Sequence, residues 1–208
     1  MAAVQRLCGR VILIDSGKLI ADDVANKVVS QYLYEGTGQE VERIWDDINT
    51  APGDDVARLH AVRVRIQNSE AVDEVDIRTP IQIEVDYWNL KPDNSANAVL
   101  IFSNEQGVEL FTTADNHTDL RHQRRPIGKV RSTCWIPGNF LAEGRIDVLV
   151  SVGSFNTNTI HALEREAISF VVVDKSEGDG VRGEFSGRWP GVVRPMLKWT
   201  VEFEPDQR

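Results

Sequence analysis

The chain has 208 residues, of which 41% are hydrophobic and 26% are charged, a balance typical of a globular protein. Its 32 acidic residues outnumber the 23 basic ones, which gives a formal net charge of −9 at pH 7. Nucleic acids and anionic lipid surfaces both select basic patches, so this charge argues against either partner. No apolar run approaches the roughly 20 residues that span a bilayer.

The first 34 residues predict a short α/β unit. Residues 2–7 are typical of the end of a helix, and the runs 11–14 and 18–21 predict a hairpin around Asp15-Ser16-Gly17. Residues 24–33 have apolar side chains at the spacing of one helical face, which predicts a helix there.

The order of residues in this stretch resembles the closing part of an ABC-transporter ATPase domain. The pattern consists of a V-x-x-L-C-x-R helix end, a D-x-G turn and a V-x-x-x-Y helix, here Val4, Leu7, Cys8, Arg10, Asp15, Gly17, Val28 and Tyr32. The resemblance implies that the ATP-hydrolysing residues precede Met1. No G-x-x-x-x-G-K-S/T phosphate loop is present, so we expect no cofactor in this fragment, and ATP with Mg²⁺ only in the full-length parent.

Residues 35–55 predict a linker between two domains. This stretch contains Gly36 and Gly38 near its start and a Pro-Gly pair near its end, and residues 41–48 favour a short helix within it. The predicted organisation is therefore an ATPase tail at 1–34, a linker at 35–55 and a second domain at 56–208.

From residue 56 onward the hydrophobic pattern alternates with period two. His60, Val62, Val64 and Ile66 are predicted to share one face, and similar strands are predicted at 81–88, 98–103, 109–113, 129–136, 145–152, 167–173 and 199–203. About eight short strands with turns between them and no long helical pattern predict an antiparallel β-sandwich. The last strand is predicted either to pair within its own subunit or to exchange into a second one, because the long connection at 174–195 permits swapping.

Two further patterns make the resemblance more specific. Strands flank an I-P-x-x-x-L-x-x-G element, and the chain closes with G-x-W-P and a strand tryptophan: Ile136, Pro137, Leu141, Gly144, Gly187, Trp189, Pro190 and Trp199. After an ABC ATPase tail, this layout resembles the C-terminal domain of the ATPase subunit of O-antigen polysaccharide exporters.

This resemblance implies an immunoglobulin-like β-sandwich that binds a lipid-linked O-antigen polysaccharide and couples its capture to export. It implies a homodimer, a membrane-spanning permease partner reached through the parent ATPase domain, and a cytoplasmic location at the inner membrane. The alternative is a structural appendage that dimerises the ATPase or docks a partner protein without binding glycan.

Exposed aromatic rings and planar polar side chains are the groups that a sugar-binding face needs. The alternation places Trp135 outward and Trp88 out of phase at a strand end, while Arg63, Arg65 and Gln82 share the outward parity of neighbouring strands. We therefore predict these five residues as glycan-binding candidates. A dimer contact or burial under a loop is the alternative for Trp135, and an ordinary solvated sheet face is the alternative for the polar residues.

The polar loop at 113–125 supplies three more candidates. Asn116, His117 and Arg121 could form hydrogen bonds with sugar hydroxyls, and a solvated loop is the alternative.

Nothing in the spacing of reactive residues predicts an enzyme. The four histidines lack metal-site spacing, no Ser-His-Asp or Cys-His grouping is visible, and Cys8 and Cys134 are interpreted as buried thiols in a reducing compartment. We therefore expect a fragment without catalysis and without a metal.

Overall fold

A computed structural model describes the following residues: 4, 7–25, 28–29, 32, 40–66, 74–92, 96–117, 124–174, 180–183, 185 and 189–203. Near its start the chain forms an antiparallel hairpin from β1 (Arg10–Asp15) and β2 (Lys18–Val24). Residues 25, 28 and 29 are helical. The predicted hairpin is confirmed, but Val24 ends the second strand and does not start the helix. No helix in the described part is long and apolar enough to cross a bilayer.

Nine further strands form a two-layer sandwich. They are β3 (Glu42–Ile44), β4 (Ala57–Ile66), β5 (Glu74–Asp76), β6 (Ile81–Asn89), β7 (Asn97–Asn104), β8 (Glu109–Ala114), β9 (Gly128–Ile136), β10 (Gly144–Ser154) and β11 (Thr159–Val173). One sheet has the order β3-β4-β6-β9 and the other the order β5-β11-β10-β7-β8. The pairs are antiparallel except β5–β11, so the mainly β sandwich is confirmed.

The core lies between the two sheets and is built from the inward residues of each strand. It includes Val64, Ile83, Tyr87, Phe102, Val148 and Phe170, each almost fully buried. The Tyr87 hydroxyl donates to the Ala96 carbonyl at 2.9 Å, so this large side chain is buried with its polar atom satisfied. The burial of these apolar side chains is the main force that holds the two sheets together.

Two local predictions are wrong because pairing between distant segments decides the structure. The stretch predicted as a helix at 41–48 contains the short strand β3, which pairs with Arg63, Val62 and Ala61 of β4. His60 was predicted in phase with Val62, but a bulge between Leu59 and Ala61 turns it to the outer side.

The last strand predicted at 199–203 is absent. Residues 197–203 have no regular secondary structure in the described part of the chain, and Trp199, Val201 and Phe203 are 84%, 91% and 85% exposed. A strand needs a neighbour to satisfy its backbone groups, and no described segment supplies one here. We call residues 196–203 the arm.

Both cysteines are free thiols, but they differ in burial. Cys134 lies on β9 and is partly buried against the core, and this burial raises the pKa of its thiol. Cys8 is exposed, so its predicted burial is wrong. It lies between the helix end at residue 7 and β1, where no described residue covers it.

Candidate functional site

The outer side of the four-stranded sheet carries the polar face predicted from the alternation. We call it the outer face. Arg65 on β4 lies opposite Gln82 on β6, and Gln82 lies opposite Trp135 on β9. These three candidates therefore form one row across the sheet. Trp135 is 60% exposed, so its ring is available to a ligand.

The centre of the outer face is an ion-pair cluster around Asp86. Arg63 donates to the Asp86 carboxylate at 2.7 Å, and Arg131 donates to both of its oxygens at 2.6 and 2.8 Å. Arg63 also pairs with Glu42, and its side chain is only 11% exposed. Arg63 was predicted as a glycan contact; in the structure its Nε donates to Glu42 and its Nη1 donates to Asp86. It supports the sheet from within the protein.

The electrostatics of this cluster keep Asp86 ionised. Burial by itself would raise the pKa of this carboxyl, but hydrogen bonds from Arg131 and Arg63, with their charges, outweigh it and lower the pKa. The Asp86 carboxylate at the centre of the face is therefore matched by two guanidinium groups, those of Arg63 and Arg131.

Trp88 lies at the far end of the outer face, opposite Lys129. Its ring packs against His60 with centroids 4.5 Å apart, and the Lys129 ammonium lies 5.4 Å from its centroid. Trp88 and Trp135 are thus separated by six residues along β9, about 20 Å at 3.4 Å per residue. The two predicted tryptophans lie on one face, and Trp135 has the freer ring.

A groove runs beside Trp135 where the two sheets leave their edge strands open. Strands β8 and β9 are the outer strands of their sheets, and the groove between them has a volume of about 360 Å³. Its walls come from both strands and its floor from the core, with Ile83, Val85, Ala98, Leu100, Thr113, Asp115, Ser132, Cys134 and Trp135 among its lining residues. This volume lies in the range of small-ligand pockets, about 300–1,000 Å³.

Asp115 closes one end of the groove and was not among the predicted residues. It starts the single-turn 3₁₀ helix Asp115–His117 and accepts hydrogen bonds from Asn97 at 2.8 Å, from Arg125 at 3.2 Å and from Ser132. Asn116 follows it and is partly buried. Of His117 only the backbone is described, and Arg121 lies outside the described residues.

A second constellation lies where β10 turns into β11. No Ser-His-Asp grouping is visible in the sequence, but the structure contains one: Ser154 Oγ lies 2.9 Å from His161 Nε2, and His161 Nδ1 lies 2.9 Å from Asp54 Oδ2. Asp54 is 107 residues from His161, so spacing along the chain gave no signal. The described residues contain no group of three or more potential metal ligands.

Comparison with known proteins shows a likeness at the level of the fold. No protein-family model matches the chain, and no curated protein matches it either. Among solved structures, the fold is similar to a crystal structure of the C-terminal domain of wzt, with a TM-score of 0.56 over 83% of this chain and 95% of that one. The sequence identity is 10%, so the likeness concerns the fold.

A putative β-galactosidase from Bacteroides fragilis shares 13% identity over 61% of this chain and 17% of its own. Its TM-score of 0.32 is too low to support an argument.

Proposed function

We propose that this chain is a glycan-binding module of a polysaccharide ABC exporter, and that Trp135 is the stacking platform for the sugar. The observation that carries this proposal is the ring of Trp135, 60% exposed on a sheet face whose other aromatic ring and central charges are already engaged. Large exposed aromatic rings on a polar face are typical of binding surfaces. The fold shared with the C-terminal domain of wzt agrees with this function.

The row across the outer face favours an uncharged stretch of glycan. Gln82 offers an amide beside the Trp135 ring, and Thr133, two residues before Trp135 on β9, offers a hydroxyl with the same outward parity. Arg65 completes the row but also donates to Glu42 at 3.4 Å. Because the nearby charges are paired, we expect stacking and neutral hydrogen bonds to supply the affinity, in the millimolar to micromolar range (about −4 to −8 kcal/mol).

The test is a calorimetric titration with the purified polysaccharide of the host and with an unrelated neutral glycan. The variant Trp135→Ala should weaken binding at least tenfold, about 1.4 kcal/mol, because the stacking surface is lost. Phe155→Ala is the matched control, since Phe155 is also an exposed aromatic residue but lies at the β10–β11 turn. Unchanged heats with Trp135→Ala, or equal losses in both variants, would contradict the assignment of Trp135.

The second candidate function is dimerisation, and the arm favours it. Leu197, Trp199, Val201 and Phe203 alternate with Lys198, Thr200 and Glu202, which gives the arm one apolar and one polar side. The apolar side is exposed here, and the groove between β8 and β9, the outer strands of their sheets, has apolar core residues at its floor. We propose that the arm of one subunit lies along this edge of a second copy, forming a homodimer.

The two candidates predict different results in the same glycan titration. A module that binds sugar gives a saturable heat with the host polysaccharide, and a purely structural appendage gives none while still dimerising. The permease contact and the location at the inner membrane belong to the same proposal as the parent ATPase domain. We propose all three from the resemblance of residues 2–34 to the closing part of an ABC ATPase domain.

A further inference from the structure

Three side chains at the β10–β11 end of the sandwich form a continuous hydrogen-bonded chain. With the proton of His161 on Nδ1, this nitrogen donates to Asp54, and Nε2 accepts the hydroxyl proton of Ser154, both at 2.9 Å. Each of the two donors, the His161 Nδ1–H and the Ser154 hydroxyl, then has one acceptor. This is the arrangement of nucleophile, general base and orienting carboxylate found in serine hydrolases on unrelated folds.

The aspartate and the histidine are held in place from both sides. Asp54 Oδ1 accepts the backbone N–H groups of Val56 at 2.7 Å and Ala57 at 3.1 Å, which leaves Oδ2 for His161. Burial would raise the pKa of Asp54, but its hydrogen bonds from His161 and the two amides outweigh this and lower the pKa. The side chain of His161 is only 7% exposed, so packing fixes the plane of its ring.

Ser154 lies between the two other hydrogen-bonded side chains and the protein surface. Ser154 ends β10 and is partly buried, and beside it a cavity of about 80 Å³ is lined by Val99, Phe155 and Ile160. This exceeds the ~10–15 Å³ that holds a single water and suits a group of a few heavy atoms. The backbone N–H of Phe155 is the next one along the chain from the serine, and Phe155 also lines this cavity.

We propose that Ser154 is the nucleophile of an esterase centre that cleaves esters of small carboxylic acids such as acetate. Ser154 Oγ attacks the ester carbonyl carbon while its proton passes to His161 Nε2, and the leaving alcohol takes that proton as the C–O bond breaks. Water then attacks the acyl-serine, gives its proton to Nε2 and releases the acid with Ser154 restored. Asp54 is a positioning residue that stabilises the imidazolium, and the Phe155 N–H is the donor nearest in sequence for the oxyanion.

The centre is independent of the proposed glycan function, because its residues lie outside the outer face and the groove. A fluorophosphonate probe tests it on the full chain, with intact-mass detection and peptide mapping of the adduct. We expect one adduct on Ser154 and hydrolysis of p-nitrophenyl acetate above the buffer rate. Both should be lost in Ser154→Ala and kept in Ser103→Ala, a serine on β7.

Two further variants separate a catalytic role from a structural one. Asp54→Asn should slow labelling at least tenfold in protein that is still folded by circular dichroism. His161→Ala should lose labelling and regain part of it when imidazole is added, which a merely structural histidine would not allow. Should Ser154→Ala fail to fold, Ser154→Cys is treated with iodoacetamide instead, and peptide mapping separates alkylation at residue 154, which should be faster than at the exposed Cys8, from alkylation of Cys8 itself. A folded wild-type chain that shows no adduct on Ser154 and no hydrolysis above buffer would overturn the proposal and leave the three residues as a structural tie.

Discussion

Asp86 is the residue on which the outer face depends most. It lies on β6 between Arg63 of β4 and Arg131 of β9, and its carboxylate accepts hydrogen bonds from both guanidinium groups. Its side chain is 8% exposed, and that of Arg63 is 11% exposed. Because both charges have lost most of their water, each depends on the other for solvation.

Replacing Asp86 should therefore destabilise the sandwich. Asp86→Ala leaves the Arg63 guanidinium largely covered without its main partner, and we expect the free energy of unfolding to fall by roughly 3 kcal/mol. Urea unfolding followed by tryptophan fluorescence measures this loss. Glu109→Gln on β8, an exposed carboxylate, is the control and should stay within about 0.5 kcal/mol of the wild type. A loss equally small in both variants would show that the cluster adds no net stability.

The lowered pKa of Asp86 predicts how the free energy of unfolding depends on pH. The pKa of Asp86 is lowered in the folded protein, so its stabilisation is fully present above the unfolded value of about 3.9. It is lost as the pH falls through the lower folded pKa, where the native carboxylate takes up a proton. The difference in unfolding free energy between wild type and Asp86→Ala should be constant from pH 6 to 8 and shrink below about pH 4. A difference that grows in acid would contradict this assignment.

At the scale of the strands, the sequence predicted the elements whose burial alternates. Strands β6, β7, β9 and β10 have one buried and one outer side, and their alternating side chains indicated both the strand and the outward direction of Trp135. The short strands β3 and β5 have three residues each, too few to show a period, and they exist because β4 and β11 offer edges for pairing.

The limits of prediction at the two sites have the same physical origin. The row of Arg65, Gln82 and Trp135 follows from parity and strand order, so most of it was predictable. The covered state of Arg63 was not, because it depends on partners brought from two other strands. Ser154, His161 and Asp54 meet only after β4 and the β10–β11 hairpin reach the same end of the sandwich.

The corner between β9 and β10 is an element that tolerates no side chain at one position. A Cβ on Gly138 would lie 2.0 Å from the carbonyl oxygen of Arg78, a backbone atom that cannot move aside alone. The same corner is tied by the Asn139 N–H, which donates to the Ile77 carbonyl at 2.6 Å. The Pro137-Gly138 pair of the sequence therefore marks a close approach of two loops.

Gly138→Ala should consequently cost about 1–3 kcal/mol of unfolding free energy, the usual range for forced overpacking. Gly9→Ala is the matched control, because nothing lies within 4 Å of the position that its Cβ would take. Thermal unfolding of the two variants in parallel measures the contrast. Equal melting temperatures would show that the corner relaxes without loss.

At the scale of the whole molecule, the chain exposes apolar side chains at both of its ends. The hairpin near the start exposes Ile12, Ile14 and Leu19, and the arm exposes a row of four large residues. The hairpin is the part that resembles an ATPase tail, so we propose that the parent ATPase domain covers it. The arm continues from the sandwich itself, and we propose a second copy as its partner, with the groove between β8 and β9 as the place where it lies.

The base of the arm is held firmly, so the arm can leave the body in a defined direction. Arg194 is almost fully buried and donates to Asp174 at 2.7 Å, while its N–H donates to the Phe140 carbonyl and that of Met196 to the Asn139 carbonyl. The eight residues of the arm would reach about 27 Å in an extended conformation, close to the length of the nine-residue strand β9. An arm of this length can cover the open edge of a second sandwich.

Removing the arm should therefore convert a dimer into a monomer. The full chain at about 50 µM should give the mass of a dimer in light scattering coupled to gel filtration, because each buried arm side chain contributes about 1.5–3 kcal/mol before ordering costs. Deletion of residues 196–208 should give a monomer that keeps the sandwich, since the core lies within residues 57–172. Deletion of 204–208 alone is the control and should remain dimeric. A full chain that is monomeric at this concentration, or a truncated chain that remains dimeric, would show that the arm does not mediate association.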